Sequence, residues 1–375
     1  MKILFACGGT AGHINPALAV ANYIREQYPE ADIRFAGNPR GMEARLVPQA
    51  GYPFLPIRVM GLQRRLSLKN IKLNIQAACL LLTATSRAKK LISDFGPDVV
   101  MGTGGYVSGP VVLTAAKMGI PTVSHEQNAF PGLTTKALCA KVDKMLLATE
   151  AAKKHLPQDR EYIVTGNPVR QEIVTSDRAA ARAKLGVGDR ICILSFGGSL
   201  GADRINEAVS TLMAQNSHRD DIHHIHATGA YGVEDVPMFL QQQGANYPNP
   251  HLDIREYIHD MPDCLAAADL VISRAGATSI SELQAAGKAS VLIPSPNVAE
   301  NHQYHNAMAL QNRQAAVVLE EKDLSGQSLC DVVNDILSQP GRLAELGANA
   351  AKMAIMDANR RIAGEVLALI GSRSK

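Results

Sequence analysis

The fold is decided by a short stretch near the amino terminus, Cys7-Gly8-Gly9-Thr10-Ala11-Gly12-His13. The apolar run KILFA precedes this stretch and INPALAVANYI follows it, so the pattern predicts a strand, a glycine loop and a helix. Asn15 is a good helix N-cap residue and Pro16 is favoured in a first helical turn. We therefore expect the helix to begin just past His13.

A nicotinamide cofactor is disfavoured by the same region. A dinucleotide fingerprint reads G-x-G-x-x-G and places an acidic residue about 20 positions later, whereas this loop reads G-G-x-x-G. The next predicted strand, residues 32–37, runs into Asn38 and Pro39 without an acidic residue at its end. The sequence therefore argues against a nicotinamide-binding loop.

The same arrangement recurs about half a chain later, where the strand-like residues 190–196 lead into Gly197-Gly198-Ser199-Leu200-Gly201. Short apolar strands alternate with helical segments in both halves, which is typical of parallel sheets covered on both faces. We predict an α/β protein with two Rossmann-like parallel-sheet domains and a ligand between them, at the carboxyl ends of the strands. The predicted domains are residues 1–167 and 168–356, with a C-terminal helix at about 357–375 packing back on the first.

Composition limits the classes of partner. The 375 residues carry a net charge of only +3 and contain no Trp, so nucleic acid is not an expected partner. Six cysteines without C-x-x-C spacing indicate reduced, partly buried thiols. The sequence has neither a P-loop nor a D-x-D metal clamp, and the alternating pattern around His223, His224 and His226 favours ordinary strand histidines over a metal site.

Glycines at a strand-to-helix turn let the backbone approach a ligand, and the helix amides that follow attract anions, above all phosphate. A third glycine loop, residues 102–110, precedes another predicted helix in the first half. In the second half, a helix beginning near Ala277 places Glu282 five residues along it, where its carboxylate can accept both hydroxyls of a ribose. Two alternatives stay open: the glycines only make tight turns, or Glu282 only complements the helix dipole.

Eight motifs occur together and in order: GGTAGHINP, MGTGGYVSGP, SHEQNAFPG, GNPVR, FGGSLGA, YIHDM, SRAGATSISEL and NHQYHNA. With them the chain resembles, over almost its whole length, the MurG family of GlcNAc transferases, which convert lipid I to lipid II in peptidoglycan synthesis. The resemblance implies a GT-B fold, UDP-GlcNAc as donor, inversion to a β-1,4 linkage and no essential metal or other cofactor. Ala11 departs from the family pattern, in which many members have glycine.

The resemblance also implies a donor site and an acceptor site. Ser199 and Arg170 would meet the donor diphosphate, Ile258 would pair with uracil through its backbone, and Glu282 would bind ribose. The remaining donor contacts would be phosphate at Ala277, Thr278 and Ser279, GlcNAc hydroxyls at Gln303, and the sugar near Asn128, Thr10, Ala11 and Gly12. The pyrophosphate of the acceptor would be received by Gly9, Gly104, Gly105 and Tyr106.

Inversion requires a base that takes a proton from the attacking hydroxyl. His13, next to the first glycine loop, is the candidate base, and the alternative is that it only hydrogen-bonds the loop or the acceptor phosphate. Glu126 is the rival base.

A lipid acceptor requires contact with a membrane surface. The apolar stretch 71–82 is too interrupted to span a bilayer, and basic residues surround it, Arg87, Lys89 and Lys90 among them. The predicted membrane patch consists of Arg64, Arg65, Lys69, Lys72, Ile75 and Leu80, and the alternative is a core-facing helix with a solvated basic side. We expect a peripheral protein on the cytoplasmic face of the cell membrane, bound to anionic lipid, with cell-wall synthesis proteins as candidate partners.

Two other function classes share the expected nucleotide site. A GT-B-like UDP-GlcNAc 2-epimerase would not need a lipid acceptor or a basic apolar patch. A non-catalytic sensor would bind UDP-GlcNAc and turn over nothing.

Overall fold

The structure, a computed structural model, describes residues 1–59, 68–198, 201–230 and 232–371, with the backbone alone at 68–79, 81 and 82. The chain forms two compact units. The first comprises Met1–Pro168 and Asp357–Lys375, and the second Val169–Met356.

The first unit is built on a seven-stranded sheet in which all described pairings are parallel. Its strand order is β3-β2-β1-β4-β5-β6-β7. The strands are β1 (Lys2–Ala6), β2 (Asp32–Gly37), β3 (Phe54–Pro56), β4 (Val99–Gly102), β5 (Thr122–Glu126), β6 (Lys144–Leu147) and β7 (Ile163–Val164). The order reverses direction between β1 and β4, which is where open parallel sheets bind their ligands. The first and third glycine loops of the sequence follow these two strands.

Helices cover both faces of this sheet. They are α1 (Ala11–Gln27), α2 (Glu43–Gln49), α3 (Leu68–Phe95), α4 (Gly105–Lys117), α5 (Leu133–Leu138) and, from the end of the chain, α15 (Ala358–Gly371), with a 3-10 helix at Glu150–His155. One face carries α1, α2 and α15, which bury Ile14, Val47 and Ile362 against Ile3 and Phe5 of β1. The other carries α3, α4 and α5. The C-terminal helix thus belongs to the first unit, where Glu365 also accepts a hydrogen bond from Lys144 at 2.5 Å.

Helix α1 begins earlier than the sequence predicts. Thr10 is its N-cap, in extended conformation and without a side-chain cap bond, so the predicted cap at Asn15 is wrong. The amides of His13 and Ile14 both bond to Thr10 O, a tight first turn that satisfies this carbonyl. His13 therefore lies inside the first turn of the helix, and the helix backbone fixes where its side chain starts.

The second unit repeats the plan with a six-stranded sheet, again parallel in all described pairings, in the order β10-β9-β8-β11-β12-β13. Its strands are β8 (Ile191–Phe196), β9 (Ile222–Ala227), β10 (Leu252–Arg255), β11 (Leu270–Ser273), β12 (Ala289–Leu292) and β13 (Val317–Val318). The order reverses between β8 and β11, and the glycine loop of the FGGSLGA motif follows β8. The prediction of two parallel-sheet α/β units is confirmed.

The helices of the second unit also form two layers. They are α6 (Gln171–Thr175), α7 (Arg178–Lys184), α8 (Asp203–Asn216), α9 (Asp235–Gln242), α10 (Met261–Ala267), α11 (Ala277–Ala285), α12 (His302–Gln311), α13 (Gly326–Ser338) and α14 (Arg342–Lys352), with 3-10 turns at Ala299–Asn301 and Glu321–Asp323. Helices α8, α9 and α13 cover one face, and α6, α7, α10, α11 and α12 the other. His223, His224 and His226 lie in β9, as the strand-like pattern predicts, and all three are buried.

Candidate active site

The two glycine loops of the first unit lie against each other at the switch point of the sheet. Gly105 has a φ of +78°, and a Cβ on it would lie 2.0 Å from the carbonyl oxygen of Gly8. Gly104 has a φ of +99°, and its Cβ would lie 2.7 Å from Nδ1 of His13. These two glycines are therefore required by the packing of the loops, whatever ligand the loops hold. The packing brings the N-termini of α1 and α4 together, and the first amides of each have no acceptor within the helix.

Glu43, the first residue of α2, organises this region and was not predicted. Its carboxylate is fully buried and accepts hydrogen bonds from the amides of Gly9 at 3.2 Å and Asn38 at 2.9 Å. The Gly9 amide, a predicted pyrophosphate contact, is thus already bonded to a carboxylate. The side-chain amide of Asn38 in turn donates to the hydroxyl of Tyr106 at 3.4 Å.

His13 is held by two acceptors on the same ring nitrogen. Its Nδ1 lies 3.1 Å from the carbonyl oxygen of Thr103 and 3.1 Å from Oε1 of Gln127. Because both partners are acceptors, Nδ1 carries the proton and Nε2 keeps its lone pair. The Thr103 hydroxyl also donates to the carbonyl of His13 at 2.7 Å. A half-buried imidazole with its free lone pair on Nε2 is the form that a general base requires.

Glu126, the rival base, has both carboxylate oxygens engaged. Oε1 accepts from the backbone amide and the side-chain amide of Asn128, each at 2.9 Å. Oε2 accepts from the Gly132 amide at 3.0 Å and the Thr135 hydroxyl at 2.5 Å. The side chain is only 3% exposed. These four bonds fix the loop between β5 and α5, and they leave Glu126 poorly placed to accept a substrate proton.

The period of two along β5 separates the two candidate bases. Val123 packs in the core beneath α1. Side chains alternate between the two faces of a strand, so His125 and Gln127 follow Val123 on the α1 face, whereas Glu126 lies on the opposite face. The sequence therefore held a signal for Gln127, because HEQN places every second residue on the α1 face. His125 and Gln127 were missed because the resemblance points to Asn128 and the search for a base considered Glu126 as the alternative to His13.

In the second unit the structure brings Arg170 and Glu282 together. Nε of Arg170 donates to Oε1 of Glu282 at 2.9 Å, with Glu282 only 14% exposed and Arg170 50% exposed. Burial raises the pKa of the Glu282 carboxyl, and the neighbouring guanidinium opposes that shift. The two residues predicted to contact the diphosphate and the ribose of the sugar donor are therefore adjacent. The terminal nitrogens of Arg170 take no part in this hydrogen bond.

The other predicted donor contacts lie on loops and helix starts of the same unit. Helix α11 begins at Ala277, as predicted, with Gly276 as its extended N-cap, so Thr278 and Ser279 lie in its first turn. Gln303, near the start of α12, accepts a hydrogen bond from the Ser295 amide at 2.8 Å, which orients its carboxamide. Ile258 lies between β10 and α10 and is 4% exposed. Ser199 lies outside the described residues.

The predicted membrane patch is described only in part. Arg64 and Arg65 lie outside the described residues, as do the side chains of Lys69, Lys72 and Ile75, while Leu80 is half-buried on α3. Farther along α3, Arg87, Lys89 and Lys90 are exposed. A surface cavity of about 530 Å³ opens beside this helix, and its lining is Arg34, Leu55, Pro56, Arg58, Arg87, Lys90, Leu91, Asp94 and Phe95. None of the described helices combines the length and apolar character that a bilayer span requires.

Two family models match the chain. Residues 3–147 match the glycosyltransferase family 28 N-terminal domain, and residues 192–362 match the glycosyltransferase family 28 C-terminal domain. Each match falls largely within one unit of the structure, although the second extends into the terminal helix of the first.

Curated relatives match along nearly the full length. One from Acetivibrio thermocellus, named UDP-N-acetylglucosamine--N-acetylmuramyl-(pentapeptide) pyrophosphoryl-undecaprenol N-acetylglucosamine transferase, is 41% identical over 96% of this chain and 96% of its own. A relative of the same name from Desulfitobacterium hafniense is 42% identical over 96% of this chain and 97% of its own.

Solved structures agree with the fold. The crystal structure of Acinetobacter baumannii MurG aligns with a TM-score of 0.79 at 28% identity, covering 98% of this chain and 99% of that one. A UDP-GlcNAc 2-epimerase from Neisseria meningitidis, bound to UDP-GlcNAc, aligns with a TM-score of 0.64 at 14% identity, covering 98% of this chain and all of that one. The second likeness is one of fold alone. On the identity and coverage of its relatives, the chain is a GT-B glycosyltransferase that belongs to glycosyltransferase family 28 and, within it, to the MurG family.

Proposed function

We propose that this chain transfers GlcNAc from UDP-GlcNAc to the MurNAc 4-hydroxyl of lipid I, undecaprenyl-pyrophosphoryl-MurNAc-pentapeptide. The transfer inverts the anomeric centre and gives lipid II. The observation that carries this proposal is the identity of 41–42%, over 96% of the chain, to transferases named for N-acetylglucosamine and pyrophosphoryl-undecaprenol.

The first unit supplies acceptor binding and the base. The pyrophosphate of lipid I binds at the N-termini of α1 and α4, near Gly104, Gly105 and Tyr106, where amides without helical acceptors attract anions. Nε2 of His13 takes the proton of the MurNAc hydroxyl as that oxygen attacks the anomeric carbon. Support for His13 over Glu126 comes from the hydrogen bonds, because His13 has an unprotonated ring nitrogen and Glu126 accepts four donors.

The second unit binds the donor. Glu282 accepts the ribose hydroxyls, and the Arg170 guanidinium with the first-turn amides of α11 receives the negative charge of the departing UDP. Gln303 binds GlcNAc hydroxyls. Leaving-group charge is then carried by the protein's own groups, and turnover requires no metal.

The decisive experiment is incubation of the purified protein with UDP-GlcNAc, with and without a lipid I analogue, followed by product analysis. We expect lipid II analogue and UDP only when the acceptor is present, at an undiminished rate in excess EDTA. Formation of UDP-ManNAc without acceptor would identify an epimerase, and binding without turnover a sensor. Loss of activity in EDTA that added metal restores would contradict the metal-free mechanism.

We further propose that the protein is peripheral on the cytoplasmic face of the membrane, with α3 and the basic residues around it facing anionic lipid. The exposed charges of Arg87 and Lys89, and the mixture of basic and apolar residues that lines the neighbouring cavity, support this orientation. Each basic residue near an anionic surface contributes about 1 kcal/mol to binding.

Vesicle sedimentation tests this orientation. Arg87→Glu with Lys89→Glu should reduce binding to vesicles rich in phosphatidylglycerol by more than tenfold. The charge-matched control, Lys117→Glu with Lys154→Glu on exposed positions of the same unit, should reduce it less. Equal losses in both variants would show that only net charge matters.

A further inference from the structure

Behind His13 lies a buried chain of side-chain hydrogen bonds that the proposed chemistry leaves without a role. It runs from His13 through Gln127 and His125 to the backbone of Gly166. Gln127 and His125 are 4% and 1% exposed. Burial of polar side chains costs folding free energy unless each donor and acceptor has a hydrogen-bond partner. A fully hydrogen-bonded chain of this kind therefore points to a role beyond packing.

Backbone carbonyls fix the direction of every bond in the chain. His125 Nε2 lies 2.9 Å from the carbonyl oxygen of Gly166, so Nε2 is the protonated nitrogen and Nδ1 is an acceptor. The Gln127 side-chain nitrogen lies 2.9 Å from the carbonyl oxygen of His125 and 3.0 Å from its Nδ1. A carbonyl can only accept, so this nitrogen faces His125, and Oε1 of Gln127 must face His13.

His125 itself is suited to act as an acceptor. Burial lowers its pKa, so the ring stays neutral and Nδ1 keeps the lone pair that accepts from Gln127. The side-chain nitrogen of Asn167 also donates to the backbone carbonyl of Gln127 at 3.1 Å, which anchors the main chain at this point.

We propose that Gln127 is a positioning residue for the transfer reaction: oriented by His125, its Oε1 accepts the proton on Nδ1 of His13 and so keeps Nε2 unprotonated and directed for proton abstraction. The inference rests on the proposed function for its catalytic consequence only. The neutral amide performs here the orienting task that a carboxylate performs beside many catalytic histidines. The carbonyl of Thr103 shares this task, so loss of Gln127 weakens the arrangement without abolishing it.

The test combines kinetics with nitrogen NMR. Gln127→Met keeps the length of the side chain and removes its acceptor. We expect kcat to fall roughly three- to tenfold, the equivalent of one neutral hydrogen bond, with both KM values unchanged. At about pH 8, above the ordinary histidine range, the ¹⁵N signals of His13 should report Nδ1–H in the wild type and a mixture of tautomers in the variant. The signals are assigned by their loss in His13→Ala.

His125→Phe provides the second variant. It leaves the backbone carbonyl of residue 125 as an acceptor for Gln127 but removes the Nδ1 acceptor, so the Gln127 amide is oriented less firmly. We expect a loss of kcat no larger than that of Gln127→Met, and little further loss in the double variant, since both residues act through one bond to His13. Thr114→Val is the matched control. It deletes one buried hydrogen bond, from Oγ1 to the carbonyl of Pro110 at 2.7 Å within α4, and should leave kcat and the His13 signals unchanged.

A wild-type His13 protonated on Nε2 would overturn the inference, as would a Gln127→Met variant with unchanged tautomer and kcat. Absence of lipid II product in the wild type would instead refute the proposed function, and the tautomer measurement would still decide the role of Gln127.

Discussion

In the proposed mechanism, the imidazole of His13 connects the loop geometry of the first unit to catalysis. Removal of a general base typically lowers a rate by 10²–10⁴, so His13→Ala should reduce kcat by about that factor. UDP affinity should not change, because the proposed donor contacts Arg170 and Glu282 lie in the second unit. Steady-state kinetics at saturating lipid I analogue, with calorimetry for UDP, measure both quantities.

A phosphate contact at His13 would give a different result. It would raise KM for the acceptor, and the loss would diminish as the acceptor concentration rises, whereas a missing base cannot be replaced by saturation. Near-normal kcat at saturation would therefore exclude His13 as the base. Glu126→Gln should meanwhile lower the melting temperature, because its carboxylate fixes the loop that leads to α5.

Glu282 and Arg170 make a second prediction at the residue scale. Glu282→Ala should cost roughly 2–4 kcal/mol in kcat/KM, mostly as a raised KM for UDP-GlcNAc, since a charge-assisted hydrogen bond to ribose is lost. Calorimetric titration with UDP should show weaker binding. Asp263→Ala breaks another ion pair of the same unit, with Lys184, and serves as the control that leaves UDP affinity unchanged. Undiminished UDP affinity in Glu282→Ala would contradict the ribose assignment.

The elements of the site show where sequence reasoning succeeds and where it stops. The glycine loops, the parallel sheets and the start of α11 at Ala277 follow from local patterns, and local patterns are visible in a sequence. The start of α1 was missed because Thr10 caps the helix by backbone conformation alone, without the side-chain bond that favours Asn15.

Contacts distant in sequence were not predictable in the same way. Glu43 reaches Gly9 across 34 positions, and Gln127 reaches His13 across 114. Nothing in the composition of either segment indicates that they meet. The alternation of side chains along β5 could have placed Glu126 on the face of the sheet opposite His13. That inference, however, requires α1 to be assigned first to one face of the sheet.

At the element scale, the close packing of the two glycine loops predicts the effect of one added methyl group. Gly104→Ala should displace the ring of His13, because a Cβ there would lie 2.7 Å from Nδ1. Gly96 is the control, since it also has a positive φ, +65°, but a Cβ on it would meet none of the described residues within 4 Å. Both alanine variants place a Cβ on a residue of positive φ, which typically costs about 1–2 kcal/mol in the left-handed region. Gly104, at φ +99° and ψ −174°, lies in a region nearly exclusive to glycine, so its variant should also lose more stability than Gly96→Ala.

Only Gly104→Ala should lower kcat, by about tenfold or more, because displacement of a catalytic group by about 1 Å costs rate strongly. Melting temperatures of both variants, with kcat at saturating substrates, separate strain from displacement. Equal kcat in the two alanine variants would show that His13 tolerates the methyl group.

At the scale of the whole molecule, two units with one plan differ in the polar groups that they bury. Each unit has glycine loops at the point where its strand order reverses, so the position of each proposed ligand site follows from the sheet topology. The first unit buries its His125 in the chain that ends at His13. The second buries three histidines in β9, an interior strand next to the edge strand β10, where Ser195 Oγ lies 2.8 Å from His224 Nε2 and 2.8 Å from His226 Nδ1.

These strand histidines predict an acid-sensitive second unit. Burial lowers the pKa of His226 to about 4 and that of His223 to about 4, and it lowers that of His224 well below its ordinary value of 6.5. Between pH 6.5 and about 4 the unfolded chain binds protons that the folded chain does not, so the free energy of unfolding rises with pH in that window. The stabilisation is complete above pH 6.5 and is lost progressively as the pH falls toward 4.

One such shift corresponds to roughly 3 kcal/mol at most, and a unit of this size changes its melting temperature by about 2–4 °C per kcal/mol. Calorimetric melts at pH 7.5 and pH 5 should therefore differ by several degrees. The variant His224→Asn with His226→Asn removes two of the three titrating groups. It should be less stable at pH 7.5, because Ser195 loses both ring partners, yet the difference between its melts at the two pH values should be smaller. If that difference equals the wild-type value, acid sensitivity arises elsewhere, and the buried His125 of the first unit becomes the next group to replace.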